Sequence, residues 1–465
     1  MRKSTESDEG KWARVKGRPG RKRRAARDTI EKARAVGLVV ALGWILVGMQ
    51  GLGLPGVSFS MLDPFDSGTR RQAQSLLSSL SVEEKCAAVL LVAYGSSSQS
   101  KVEVASRYQK IPVGGYLFFA YHIPKTVEAL IDLTDGIQAS VAEGRSRGTV
   151  PFLAIDHEGG TVMRLRGLVT GLPDARELGM SKAPAEKIQR LFRIVSRELF
   201  LLGFSMNLAP VVEPLSPENR FFLERRTYSS DPARTAQLGE WYLKEMREAG
   251  IVGVAKHFPG SGDGDPHERL PESSAKPSES TDPYTLPFRV LKQKGVLDAV
   301  MVSHVRLPHE GVEEPASLSS RVLQGILRSQ WGFDGLVMTD DILMRGLTQA
   351  ADPAEGVIQA LLAGVDMVMY LGGDDEKIHR ALVEAAEEGR VPIQRLDEAV
   401  QRILTLKIRY GMVNPDRQNP PPRTVQKVER LAELHSLKRK GDALVQEILQ
   451  GGELQQGKQQ EIDRQ

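Results

Sequence analysis

An apolar run, Ile251-Val252-Gly253-Val254-Ala255, closes on two basic residues, Lys256-His257, and continues into Phe258-Pro259-Gly260-Ser261-Gly262-Asp263-Gly264-Asp265-Pro266-His267. A buried strand seldom ends in lysine and histidine unless something at that end uses them, because unpaired charge removed from water is costly. The Gly/Pro-rich loop beyond carries an Asp-x-His pair, Asp265 and His267. An imidazole can both give and take a proton near neutrality, and a nearby carboxylate stabilises the imidazolium and fixes its tautomer. A second feature, Thr339-Asp340-Asp341, closes another apolar run. A fixed carboxylate there could attack an electrophilic carbon and form a covalent intermediate. A separate group must then protonate the departing oxygen and later activate water.

The elements that would hold these groups recur along the chain. Eight apolar, strand-like runs occupy 87–93, 114–119, 152–156, 206–211, 252–257, 299–305, 336–340 and 367–371. Amphipathic segments of helical period lie between them, as at 183–202, 233–249 and 354–363. Strands alternating with helices imply a parallel sheet, and eight repeats predict an α/β chain with a closed (β/α)8, TIM-like barrel. An open doubly wound sheet is the alternative. It is weakened because no Gly-x-Gly-x-x-Gly opens a helix after an early strand.

Barrel enzymes place their catalytic residues at the C-terminal ends of strands. Here those ends read Asp156-His157-Glu158-Gly159-Gly160, then Asn207 with Arg225-Arg226 beyond it, Lys256-His257, Ser303-His304 and Thr339-Asp340-Asp341. The series predicts one polar pocket at one rim. It offers carboxylates, bases and hydroxyls, but no cysteine nucleophile and no phosphate-cradling loop. Such a rim suits a polyhydroxylated ligand, whose hydroxyls need directional hydrogen bonds. The acidic and histidine residues lack a metal-ligand spacing, so no metal and no cofactor is expected.

Composition sets the outer limits. At 41% hydrophobic and 26% charged residues, the chain of 465 suits a soluble, well-filled core. The formal charge of +3 is unevenly spread, with basic residues crowded into 1–34, so there is no global case for binding nucleic acid. Cys86 is the sole cysteine, which excludes an internal disulfide.

Residues 1–34 read as a disordered basic segment and 35–58 as a membrane-spanning signal anchor. The apolar stretch approaches the ~20 residues a helix needs to cross a bilayer. Its basic flank would keep the N-terminus in the cytoplasm and set everything after it on the outer side. A cleaved signal peptide is the rival, although Ser58-Phe59-Ser60 is a weak cleavage site. The barrel is expected over 69–412 as the single catalytic domain. Residues 413–465 follow as a Pro-rich linker, a helix over 426–450 and a polar tail.

Three motifs in combination, Lys256-His257-Phe258-Pro259-Gly260, Ile155-Asp156-His157-Glu158-Gly159-Gly160 and Gly332-Phe333-Asp334-Gly335-x-Val337-x-Thr339-Asp340-Asp341, resemble glycoside hydrolase family 3. The Asp-x-His pair is similar to that of its bacterial N-acetyl-β-glucosaminidase branch. The resemblance implies a retaining, exo-acting β-N-acetylhexosaminidase that releases terminal N-acetylglucosamine, with muropeptides or related amino sugars as substrates. It implies Asp340 as nucleophile, and His267 as acid/base oriented by Asp265. Strand alternation lets only one of Asp340 and Asp341 face the mouth, and the resemblance favours the first. Asp156, Arg164, Asn207, Arg226, Lys256 and His257 are implied as the sugar-binding set, with Ser303 and His304 able to line the subsite.

The sequence departs from the family pattern at Ser261, where histidine is common. Its acid/base loop is also shorter, and Pro266 separates the Asp-x-His pair. Alternatives kept open are a β-glucosidase or phosphorylase on the same scaffold, a sugar-binding barrel without catalysis, and an aldolase using Lys256 as a Schiff base.

Overall fold

The computed structural model describes residues 67–95, 101–144, 150–264, 269–344, 347, 352–413 and 426–462. Eight strands form a closed parallel barrel: β1 Leu90–Ala93, β2 Gly115–Phe118, β3 Phe152–Ile155, β4 Met206–Asn207, β5 Val252–Phe258, β6 Ala299–Val302, β7 Leu336–Asp341 and β8 Met367–Tyr370. Each strand pairs with its neighbours in sequence, and β1 closes on β8 with Leu90 opposite Val368. The strands read as continuous apolar runs because they are covered on both faces, by helices outside and by interior side chains within. The expected (β/α)8 barrel is therefore present, and each expected strand run overlaps an observed one.

Helices return the chain between strands, among them Val127–Gly144, Ala185–Leu201, Pro232–Glu248 and Pro353–Ala363. Asp231 caps Pro232–Glu248, accepting from the Ala233 N–H at 2.9 Å, and proline follows it at the first helical position. Asp352 and Pro353 repeat this arrangement at the start of Pro353–Ala363.

At the N-terminal ends of the strands, buried carboxylates are fully paired. Asp366 is shared by Arg328, Arg395 and Arg402, and also accepts from the Val337 N–H. Asp298 holds Arg247, Arg409 and the Tyr410 hydroxyl. The final helix, Lys427–Ile462, packs on the outside of the barrel. Arg430 donates to the Leu201 carbonyl at 2.8 Å, and Glu433 receives Arg197 at 2.7 and 3.0 Å.

The register is interrupted where chemistry was expected. Between β5 and β6, Ala255 and Phe258 oppose Val300 and Val302, which leaves one extra residue on β5 at Lys256-His257. Between β7 and β8, Met338 and Asp341 oppose Met367 and Met369, which leaves an extra residue on β7 beside Asp340. Bulges of this kind re-aim side chains and gather next to active sites.

Among the described residues no helix is long and apolar enough to cross a membrane. The expected anchor at 35–58 lies outside the described residues, as do Asp265 and His267.

Candidate active site

Polar side chains from several strand ends meet near Asp340. On β7, Asp341 turns its carboxylate to the backbone, accepting from the N–H groups of Leu343 and Leu371 at 3.2 and 3.3 Å. Among the described residues, the Asp340 carboxylate accepts one hydrogen bond, from the Asp341 N–H at 2.8 Å. Burial alone would raise its pKa. The positive potential of His257, His304 and Lys256, with that N–H, outweighs burial and holds the carboxyl below its usual range. The contrast with Asp366 and Asp298 is chemical: those carboxylates are committed to guanidinium groups, whereas Asp340 is kept anionic and uncommitted.

Around it runs a chain of ion pairs drawn from three strand ends. Lys256 Nζ lies 2.7 Å from both Asp156 Oδ1 and Glu158 Oε1. Arg226 clamps Glu158 through two parallel bonds of 2.9 and 2.8 Å, and Arg164 reaches Asp156 at 3.2 Å. Burial lifts the Glu158 pKa, yet Lys256 and Arg226 more than reverse this and hold it well below the usual carboxylate range. Lys256 is likewise disfavoured as a cation by burial, but Asp156 and Glu158 outweigh that and raise its pKa. An amine held as ammonium is a poor carbonyl nucleophile, which counts against the Schiff-base alternative. The Phe222 ring lies 4.6 Å under the Arg226 guanidinium and 6.4 Å from the His257 ring, and so adds an apolar wall.

His257 is oriented by Glu213, which is not among the site residues expected from the sequence. Beyond β4 the chain keeps contact with β5: the Val212 N–H donates to the Lys256 carbonyl at 2.8 Å. This contact sets Glu213, 0% exposed, beside the imidazole. His257 Nδ1 donates to Glu213 Oε1 at 2.7 Å, and the His257 backbone N–H lies 3.2 Å from the same oxygen. Ser261 supplies two more donors, its N–H at 2.5 Å and its hydroxyl at 2.6 Å. The small residue at 261 thus completes the seat of the carboxylate that positions His257. A signal was present in the sequence: Val211-Val212-Glu213-Pro214 is an apolar run closing on a charge, the pattern that singled out Lys256.

Asn207, Ser303 and His304, also expected at this rim, make hydrogen bonds within the protein. Asn207 is wholly buried, its amide placed between the His157 backbone, at 3.0 and 3.1 Å, and the Tyr242 hydroxyl, at 2.9 Å. The Ser303 hydroxyl donates to the Gly260 carbonyl at 2.6 Å and ties the Gly/Pro-rich loop to β6. His304 Nε2 donates to the Asp341 carbonyl at 3.0 Å, and Nδ1 lies 2.6 Å from the Ser317 hydroxyl.

The chain on either side of Asp265 and His267 is tied together. Asp263 and Glu272 exchange two bonds of 2.9 Å, and Arg269 pairs with Asp263 at 3.0 Å. Among the described residues no group of histidine, cysteine and carboxylate side chains could hold a metal ion.

Comparison with known proteins gives a consistent result. The model of the glycosyl hydrolase family 3 N terminal domain matches residues 81–406. Beta-hexosaminidase LpqI of Mycobacterium tuberculosis is 30% identical over 340 residues, 70% of this chain and 83% of that protein. Beta-hexosaminidase A of Pseudoalteromonas piscicida is 26% identical over 370 residues, 73% of this chain but 61% of that protein, so the chain spans less than two thirds of this relative. Among solved structures, a glycoside hydrolase family 3 beta-N-acetylglucosaminidase from Paenibacillus sp. str. FPU-7 superposes with a TM-score of 0.66 at 28% identity, covering 78% of this chain and 69% of that one.

Proposed function

The chain belongs to glycosyl hydrolase family 3, and on that footing we propose that it is a retaining, exo-acting β-N-acetylhexosaminidase acting on terminal β-linked N-acetylglucosamine. The observation that carries the reading is the Asp340 carboxylate, held anionic at the mouth of the barrel and bound only to its neighbour's N–H among the described residues. The names of the relatives, beta-hexosaminidase and beta-N-acetylglucosaminidase, support the choice of sugar.

In the proposed reaction Asp156, Arg164, Lys256 and His257 grip the hydroxyls of the terminal sugar. Asp340 attacks C1 from one face. His267, paired with Asp265, protonates the departing oxygen from the other. The same imidazole then takes a proton from water, which attacks C1, frees Asp340 and returns the original anomeric configuration. Cell-wall fragments are the proposed natural substrates. Residues 35–58 are the proposed membrane anchor, with the barrel on the outer side.

The test compares chromogenic N-acetyl-β-glucosaminide with β-glucoside, each with and without phosphate. The reading requires preference for the first and no dependence on phosphate. Preference for glucoside, or turnover only with phosphate, overturns it. Binding without any turnover would make the barrel a sugar-binding module instead. His267→Ala should lose much less activity with an activated leaving group than with an alcohol, because only the alcohol needs a proton to depart.

A further inference from the structure

A cavity of about 340 Å3 opens at the N-terminal end of the barrel, the end opposite Asp340. It is bounded by Ala88, just before β1, Pro112, just before β2, and the helix Ile393–Arg409. Leu80, Ala88, Pro112, Ile403 and Leu404 make much of its wall apolar. Lys407 also lines it and is only 4% exposed. The Lys407 amine lies 4.9 Å from the centre of the Phe152 ring, and among the described residues it has no carboxylate, carbonyl or hydroxyl partner. This is unusual for the lower face of this barrel, where Arg328 and Arg395 share Asp366 and Arg247 holds Asp298.

A buried cation without a counter-ion is costly, and burial pushes the Lys407 amine down to about 7. Other titratable groups face the cavity: Glu83 and Glu84 on the helix Val82–Ala88, Tyr108 and Lys110 on Lys101–Lys110, and His379 on Asp375–Glu387. Two of these side chains have partners of their own. Glu84 accepts from the Ser81 N–H at 2.8 Å, and His379 Nε2 bonds the Glu83 carbonyl at 2.8 Å. Burial is the cause of the lysine's shift, with none of these groups compensating it.

We propose that this cavity is a binding site for a small monocarboxylate with an apolar body, its carboxylate paired with Lys407 and its carbon chain laid against Leu80, Ile403 and Leu404. The volume lies at the low end of the range for small-ligand pockets, which fits a short chain. An anion beside the amine restores its charged form, so binding takes up a proton near neutrality.

The experiment is titration calorimetry on the whole protein with hexanoate, using hexanamide as the uncharged control. With an amine near 7, hexanoate should bind roughly 30-fold more weakly at about pH 8.5 than at about pH 6, because the protonated fraction of Lys407 falls by that factor. Hexanamide should not bind. Lys407→Met, which keeps the side chain's length and apolar character, should abolish hexanoate binding and leave glycoside turnover unchanged. Equal affinity at the two pH values, equal binding of hexanamide, unaltered binding by the variant, or no binding of hexanoate to the wild type at millimolar concentration would each overturn the proposal. If the variant fails to fold, the pH dependence and the amide control decide the matter on the wild-type protein alone.

Discussion

Replacing Glu213 by glutamine should impair the enzyme although the residue lies outside the proposed sugar-binding set. The carboxylate is wholly buried and receives four donors, Nδ1 and N–H of His257 and the N–H and hydroxyl of Ser261, at 2.5–3.2 Å. Glutamine has nearly the same shape, but one of its two terminal atoms becomes a donor. That atom must face either the Ser261 N–H or the imidazole. Facing the Ser261 N–H sets donor against donor. Facing His257, it forces the ring into the opposite tautomer. Each charge-assisted bond lost costs about 1.5–3 kcal/mol. If one such loss falls on transition-state binding, kcat/KM drops by roughly 10–100-fold, since ~1.4 kcal/mol is tenfold in rate. The assay is steady-state hydrolysis of a chromogenic N-acetyl-β-glucosaminide, run beside thermal unfolding to show that the variant is folded. Ser261→Ala, which removes only the hydroxyl, should cost less than Glu213→Gln. A folded Glu213→Gln with kcat/KM within about threefold of wild type would refute the claim that this carboxylate positions His257.

Two further outcomes concern stability. Burial lifts the Glu198 carboxyl to about 7 from the ordinary 4.5, against the Thr170 hydrogen bonds that lower it. The raised folded pKa means the native state keeps a proton that the unfolded chain has already released. Stability from this group should therefore fall by about 3 kcal/mol as pH rises between those two values. Glu198→Gln should flatten that slope in urea unfolding at about pH 5 and about pH 8, and an unchanged slope would rule the group out. Asp366→Ala strands Arg328, Arg395 and Arg402 beneath the barrel. It should destabilise by roughly 3–5 kcal/mol and leave KM of the folded fraction unaltered, and a loss below about 1 kcal/mol would contradict the structural role given to this cluster.

The barrel could be read from the sequence because each strand is covered on both faces and so appears as an uninterrupted apolar run. The ends of the runs were less legible. The expected strand at 206–211 pairs with both neighbours only over Met206–Asn207, because the following residues turn toward β5 to deliver Glu213. The last helix runs on to Ile462, past Gly451 and Gly452, where an apolar period is no longer visible in the sequence.

Within the candidate site, residue type at a strand end points to Asp156, Lys256, His257 and Asp340, which the structure brings close together. It could not tell a pocket residue from a support. Asn207 and Ser303 have the chemistry to bind a sugar, yet their hydrogen bonds go to the His157 backbone and Tyr242, and to the Gly260 carbonyl. Only the backbone partners of Asp341 separated it from Asp340. Glu213 and His257 stand 44 positions apart, and nothing local to either reveals that they meet.

The measurement that bears most directly on the whole account is mass spectrometry of the enzyme after reaction with a fluorinated N-acetyl-β-glucosaminide whose glycosyl-enzyme breaks down slowly. One sugar should be found on the peptide containing Asp340, attached at that residue, and none on Asp340→Asn. Attachment at Asp341 or elsewhere, or a first-formed product of inverted anomeric configuration, would contradict it.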